Sequence, residues 1–195
     1  YLTEKNLKIF NNKEFHEYFI SSNIKIRKIY NGFSIPKISK SYNGRRQLNI
    51  PNDHTVFGMV SRGIPEKGWE TAISAFQLVN FQKKASLILV GGSPYLDKLY
   101  EKYSDDKNIH FIGYSNDPIF WTNSFDVGLL PTTFKSESLP TIIIEYLFCG
   151  KPVISTDIGE ISQMITIDGK KAGFVLSLDS EERVNSQEIV DCMKI

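Results

Sequence analysis

Glu137 and Glu145 stand with seven residues between them, and the step Ser138-Leu139-Pro140-Thr141 just after the first reads as the start of a helix. Two carboxylates at this spacing are common by chance, so their meaning rests on their surroundings. The segment SRGIPEKG (61–68) supplies Arg62 and Lys67. A guanidinium can fork onto two oxygens of a phosphate, and an ammonium adds a point charge. Pro140 suits a first helical position, because its missing N–H would be unpaired there anyway. The free N–H groups of Thr141 and Ile142, backed by the helix dipole, make a further anion site to which the Thr141 hydroxyl can add. Ser138 can cap the same helix, and the two roles are compatible. Glu145 falls about five residues into that helix, ~7–8 Å from its start at 1.5 Å per residue. It interrupts the apolar run IIIEYLF (142–148), which is apolar nearly all round and predicts a buried helix. A carboxylate there is costly unless hydrogen-bonded or paired, so Glu145 either accepts from ligand hydroxyls or pairs with a neighbouring basic group.

The elements that must hold these residues alternate regularly from His54 onward. TVFGMVS predicts a strand, and KGWETAISAFQLVN a helix with Trp69, Ala72, Ile73, Phe76 and Val79 on one face. ASLILVGG and NIHFIGY read as strands, with the helix PYLDKLYEKYS between them. A short helix DPIFWTNS, a strand DVGLLPT, the helix that opens at Pro140 and a strand PVISTD follow. The strand GFVLSL and a final helix over SEERVNSQEIVDCMKI complete the order. Short apolar strands alternating with helices predict an α/β fold, a Rossmann-like, doubly wound parallel sheet with helices on both faces. Such sheets bind ligands at the carboxyl ends of their strands. Each candidate group falls there: Ser61-Arg62-Gly63, Gly91-Gly92-Ser93, Gly113, and residues 131–140.

Residues 1–53 differ. A short strand, a polar helix with Leu7, Phe10 and Phe15 in a stripe, and an alternating strand IKIRKIYNG lead into the polar, basic run at 36–53, read as a linker. The expected boundary therefore lies at residue 53, with one nucleotide-binding unit over 54–195.

The block PTTFKSESLPTIIIEYLFCGKPVISTDIGE (131–160) resembles the retaining glycosyltransferases of the GT-B type, closest to family 4, the group 1 transferases, whose signature is a paired-glutamate motif in this setting. The resemblance covers residues 54–180 firmly and 1–53 loosely, the latter as the last part of an N-terminal domain plus linker. It implies that the chain is the donor-binding half of an enzyme transferring a sugar, with retention, from a nucleoside-diphosphate sugar to a saccharide or glycolipid acceptor. On it, Arg62 and Lys67 bind the diphosphate and stabilise it as it leaves, together with Ser138, Leu139, Pro140 and Thr141 at the helix start. Glu145 holds the ribose, and Glu137 contacts the donor sugar near its reacting end. Ile112, with Phe111 and Gly113, matches the strand end that holds the base. Gly92 allows close backbone approach, though Gly91-Gly92-Ser93 is no dinucleotide fingerprint. Gly159-Glu160 matches a family Gly-Glu, with a surface acid at a helix start as an equal alternative. Family precedent implies UDP- or GDP-linked donors, no further cofactor, acceptors bound by the N-terminal domain, and cytoplasmic enzymes, some of them peripheral on the inner membrane face. Most of an N-terminal domain is missing, so the chain reads as a fragment expected to bind donor and transfer little alone.

Composition excludes several classes. A net charge of +1 gives no bulk attraction to nucleic acid. Cys149 and Cys192 form no metal-like spacing, and His16, His54 and His110 are scattered. Asp105-Asp106 sits in a polar turn before a strand, so no metal is expected. No run is long enough to span a membrane. A signalling receiver would need acids where TVFGMVSRG has Arg62. A GT-B sugar-nucleotide epimerase and a non-catalytic nucleotide-sugar-binding module stay open as alternatives.

Overall fold

A computed structural model of the chain describes residues 33–34, 44–79 and 84–194. The strand and helix expected before residue 32 lie outside the described residues. A short helical turn, α1 (Gly44–Gln47), precedes β1 (Thr55–Val60), a 3₁₀ turn (Pro65–Lys67), α2 (Trp69–Leu78), β2 (Ala85–Val90), α3 (Pro94–Tyr103) and β3 (Ile109–Gly113). The second half continues with α4 (Pro118–Asn123), β4 (Val127–Leu130), α5 (Thr141–Phe148), β5 (Val153–Thr156) and α6 (Ile161–Met164). A two-stranded hairpin, β6 (Thr166–Ile167) and β7 (Lys170–Lys171), then β8 (Gly173–Leu176) and α7 (Ser186–Met193), end it.

Six strands form one parallel sheet in the order β3-β2-β1-β4-β5-β8. The chain winds outward from β1 to β3, crosses back to β4 beside β1, and winds outward again. The point where the winding reverses lies between β1 and β4, which is where open α/β sheets leave a crevice for ligands. All six residues of β2 are buried, as an apolar run covered on both faces requires. Period-two alternation splits the side chains into two cores. Phe57, Met59, Leu87, Leu89 and Leu129 pack under α2, α3 and α7. Val56, Ile88, Val90 and Leu130 pack under α4, α5 and α6 with Trp121, Phe125 and Tyr146. Residues just before residue 53 belong to this second layer: Ile50 is buried in it, and the Gly44 N–H donates to Ser124 Oγ (2.9 Å).

Two expectations are corrected. The final helix begins at Ser186, not in the SEERV run. The Asp179 carboxylate accepts the Glu181 and Arg183 N–H groups (2.8 and 2.9 Å) and holds that run in a turn, and Asn185 caps the helix. The apolar helix α5 is buried on one face only, at Ile143 and Tyr146. Its Ile144, Leu147 and Phe148 instead line a groove of about 480 Å³ against α6, together with Leu139 and Met164.

Candidate functional site

Two loops flank the crevice, one after β1 and one after β4. In the first, Ser61 extends the parallel ladder by donating to the Val90 carbonyl (3.2 Å), and a tight turn follows in which the Ile64 N–H donates to the Arg62 carbonyl (2.8 Å). The indole N–H of the fully buried Trp69 donates to that same carbonyl (2.9 Å). Trp69 thus packs in the core and also fixes the backbone of Arg62. The Arg62 side chain is exposed, whereas Lys67, on the 3₁₀ turn, is buried.

The second loop is tied to the first by backbone. The Glu66 carbonyl accepts from the Thr133 N–H (2.7 Å) and from Thr132 Oγ1 (3.1 Å). Gly68 has φ 83°, and a Cβ there would lie 2.1 Å from the Pro131 carbonyl oxygen, so only glycine allows the contact. On the far side, Gly159 (φ 60°) would place a Cβ 2.5 Å from the carbonyl oxygens of Glu137 and Ser138, and the Glu160 N–H donates to Ser138 (2.8 Å). The loop carrying Glu137 is thus clamped between residues 66–68 and 159–160.

The clamp brings the Lys67 ammonium onto the Glu137 carboxylate as an ion pair, with side chains 7% and 9% exposed. Phe134, three residues before Glu137, lies under both cations: its ring centroid is 5.1 Å from Arg62 Cζ and 4.9 Å from Lys67 Nζ. Arg62 and Lys67 of the first loop therefore meet Glu137 and Phe134 of the second at the switch point.

Helix α5 starts at Thr141, and Pro140 is the flanking residue with extended backbone (φ −64°, ψ 116°), one place earlier than expected. Ser138 does not cap it: no side chain does, and the Ser138 carbonyl is engaged by Glu160. The first N–H groups of an α-helix have no acceptor within the helix, so those of Thr141 and Ile142 are open to an acceptor from outside it.

Glu145 is half-buried, and burial alone pushes its carboxyl above the ordinary value. Among the described residues no basic side chain pairs with it. Its neighbour Tyr146, which the sequence did not single out, anchors the same helix. Strands β1 and β4 pair only at Phe57–Val127 and Gly58–Gly128. Beyond that they part, and the buried Tyr146 hydroxyl fills the gap, accepting from the Val60 N–H (3.0 Å) and donating to the Leu129 carbonyl (3.2 Å). Burial raises the phenol's pKa far above its ordinary value, so it stays protonated and can donate.

The remaining candidates lie further out. Leu139 lines the α5–α6 groove. A Cβ on Gly92 would lie 3.1 Å from Tyr114 Cβ, so the turn after β2 is packed against the end of β3. Ile112 and Phe111 face opposite layers, each partly buried against its core. Glu160 is buried, not a surface acid, and precedes α6. Among the described residues no three His, Cys, Asp or Glu side chains gather as a metal site, and Asp106 caps its own turn through the Asn108 N–H (3.0 Å). No helix among them is long and apolar enough to cross a membrane.

Residues 42–186 match the family model for glycosyl transferases group 1. An uncharacterized glycosyltransferase of Methanocaldococcus jannaschii, MJ1059, is 28% identical over 154 residues, 75% of this chain and 37% of that protein. The crystal structure of Anabaena HepE in complex with UDP-glucose superposes with a TM-score of 0.71 at 25% identity, over 94% of this chain and 52% of that one. The C-terminal domain of the group 1 transferase LpcC from Francisella tularensis superposes with a TM-score of 0.62 at 20% identity, over 80% of this chain and 82% of that domain. The chain thus spans about half of HepE and less of MJ1059.

Proposed function

The chain belongs to the group 1 glycosyltransferases, and we propose that it is the half of such an enzyme that holds a nucleoside-diphosphate sugar for transfer to a saccharide or lipid-linked acceptor. The observation that carries this reading is the meeting of Arg62, Lys67 and Glu137 at the switch point beside the N-terminus of α5. In the reaction the bond from the anomeric carbon to the diphosphate oxygen breaks, and the nucleoside diphosphate leaves with the bonding electron pair. The acceptor hydroxyl oxygen bonds to the same carbon, with retention, and its proton passes to the departing phosphate. Charge grows on the leaving oxygens, and fixed cations and backbone N–H groups aimed at them stabilise that state. Arg62, Lys67 and the first turn of α5 fill this role. Glu137 faces the sugar, and the half-buried Glu145 accepts from the ribose hydroxyls. No metal or other cofactor is expected, because Arg62, Lys67 and the first N–H groups of α5 all offer positive charge to the diphosphate. The acceptor would be bound by an N-terminal domain, on the cytoplasmic side of the membrane.

UDP is the first nucleotide to test, since UDP-glucose is the ligand in the HepE complex. Calorimetric titration with UDP, GDP and ADP, each with and without magnesium, should show one nucleotide binding equally well in both conditions. Arg62→Ala should weaken it about tenfold or more, the scale of a charged hydrogen bond. Binding that appears only with magnesium would remove the metal-free mechanism. Unchanged affinity in both Arg62→Ala and Lys67→Ala would remove the phosphate assignment.

A further inference from the structure

The loop after β4 carries an aromatic ring, Phe134, and both Arg62 and Lys67 lie over it. Arg62 Cζ is 5.1 Å and Lys67 Nζ 4.9 Å from the Phe134 centroid, inside the range in which a cation is attracted to a ring face. The ring is itself held. The Phe134 N–H donates to Thr132 Oγ1 (3.1 Å), whose residue is fully buried, and the Phe134 carbonyl accepts the Glu137 N–H (2.9 Å). Thr132 is in turn bound to Glu66, one residue from Lys67. Phe134 is therefore fixed to both loops that form the crevice.

Arg62 needs such a support. Its side chain is exposed, and among the described residues no carboxylate pairs with it. A free arginine gives up much rotamer entropy when it binds. A ring beneath the guanidinium restricts it in advance, while the N–H donors at the guanidinium rim stay available for phosphate oxygens.

We propose that Phe134 is a positioning residue that holds Arg62 and Lys67 at a common spacing to receive the diphosphate of the donor. The role rests on the donor-binding reading above. It differs from apolar packing, because it needs the ring's electrostatic face and not only its bulk. Phe134→Leu keeps an apolar side chain and removes that face; Phe134→Tyr keeps it.

The test is calorimetric titration of the wild type, Phe134→Leu and Phe134→Tyr with UDP and with uridine, which lacks the phosphates, alongside side-chain NMR of Arg62. Phe134→Leu should bind UDP about fivefold or more weakly and uridine as the wild type does. Phe134→Tyr should restore UDP binding, and the ring-current shift of the Arg62 resonances should vanish only in the leucine variant. Equal UDP affinity in the wild type and Phe134→Leu overturns the positioning role alone. So does a parallel loss of UDP and uridine binding, which marks a structural defect. A wild type that binds no nucleoside diphosphate, yet shows the ring-current shift, overturns the donor reading and the use of the ring with it.

Discussion

Lys67 and Glu137 form an ion pair across the crevice, each side chain more than nine-tenths buried, although seventy positions separate them in the chain. On the proposed donor-binding role the pair keeps a cation in the site without leaving it uncompensated. Two buried charges are tolerated together far better than one alone.

Removing one partner should therefore be costly for the fold as well as for binding. Lys67→Ala should destabilise the chain by about 3 kcal/mol or more, because it strands the Glu137 carboxylate. The double variant Lys67→Met/Glu137→Leu should recover most of that stability while binding no UDP. Arg62→Ala, on an exposed side chain, should change stability by less than about 0.5 kcal/mol and still weaken UDP. Urea unfolding and calorimetry separate the effects. A double variant as unstable as the single would show that the buried pair is not the source of the cost.

Tyr146 links the two strands at the switch point to the helix that carries Glu145. Tyr146→Phe leaves the Val60 N–H without its acceptor, at a cost of about 1–3 kcal/mol. The urea midpoint should fall accordingly, and UDP affinity should fall with it as Glu145 loses its fixed placement. Retained stability would mean that the parted ends of β1 and β4 can close on each other without the hydroxyl.

Much of this was legible in the sequence. The strands at 55–60, 85–90 and 127–130 are apolar runs bounded by turn residues, and parallel sheets require that pattern. Arg62 could be placed at a strand end, Lys67 at the next helix start and Glu137 just before a helix, because loop positions follow from element order. What could not be read depends on distances between elements. Tyr146 looks like any core aromatic until β1 and β4 part beneath it, and Phe134 like any loop aromatic until two cations from another loop lie on its ring. The burial of Glu160 follows from the 137–138 loop folding over Gly159. The late start of α7 follows from one carboxylate, Asp179, outbidding the helix for its backbone N–H groups.

Glu145 should show opposite effects on stability and on binding. Burial raises its carboxyl pKa above 4.5 in the folded chain. At lower pH the group is protonated whether folded or unfolded and contributes nothing. As pH rises through 4.5 the unfolded chain ionises first, so the folded state loses stability until its own carboxyl has ionised too. Glu145→Gln removes that loss. The variant should be more stable than the wild type at neutral pH and equal to it near about pH 3, where both carry an uncharged side chain. Its UDP affinity should nevertheless fall about tenfold or more, because an amide is a weaker acceptor for the ribose hydroxyls than a carboxylate. Thermal unfolding across pH, with titrations at neutral pH, reads both. A variant less stable than the wild type at neutral pH, with the deficit vanishing toward acid, would mean that Glu145 is held by an attractive partner in the folded chain, and that its half-buried carboxylate is not kept for a ligand.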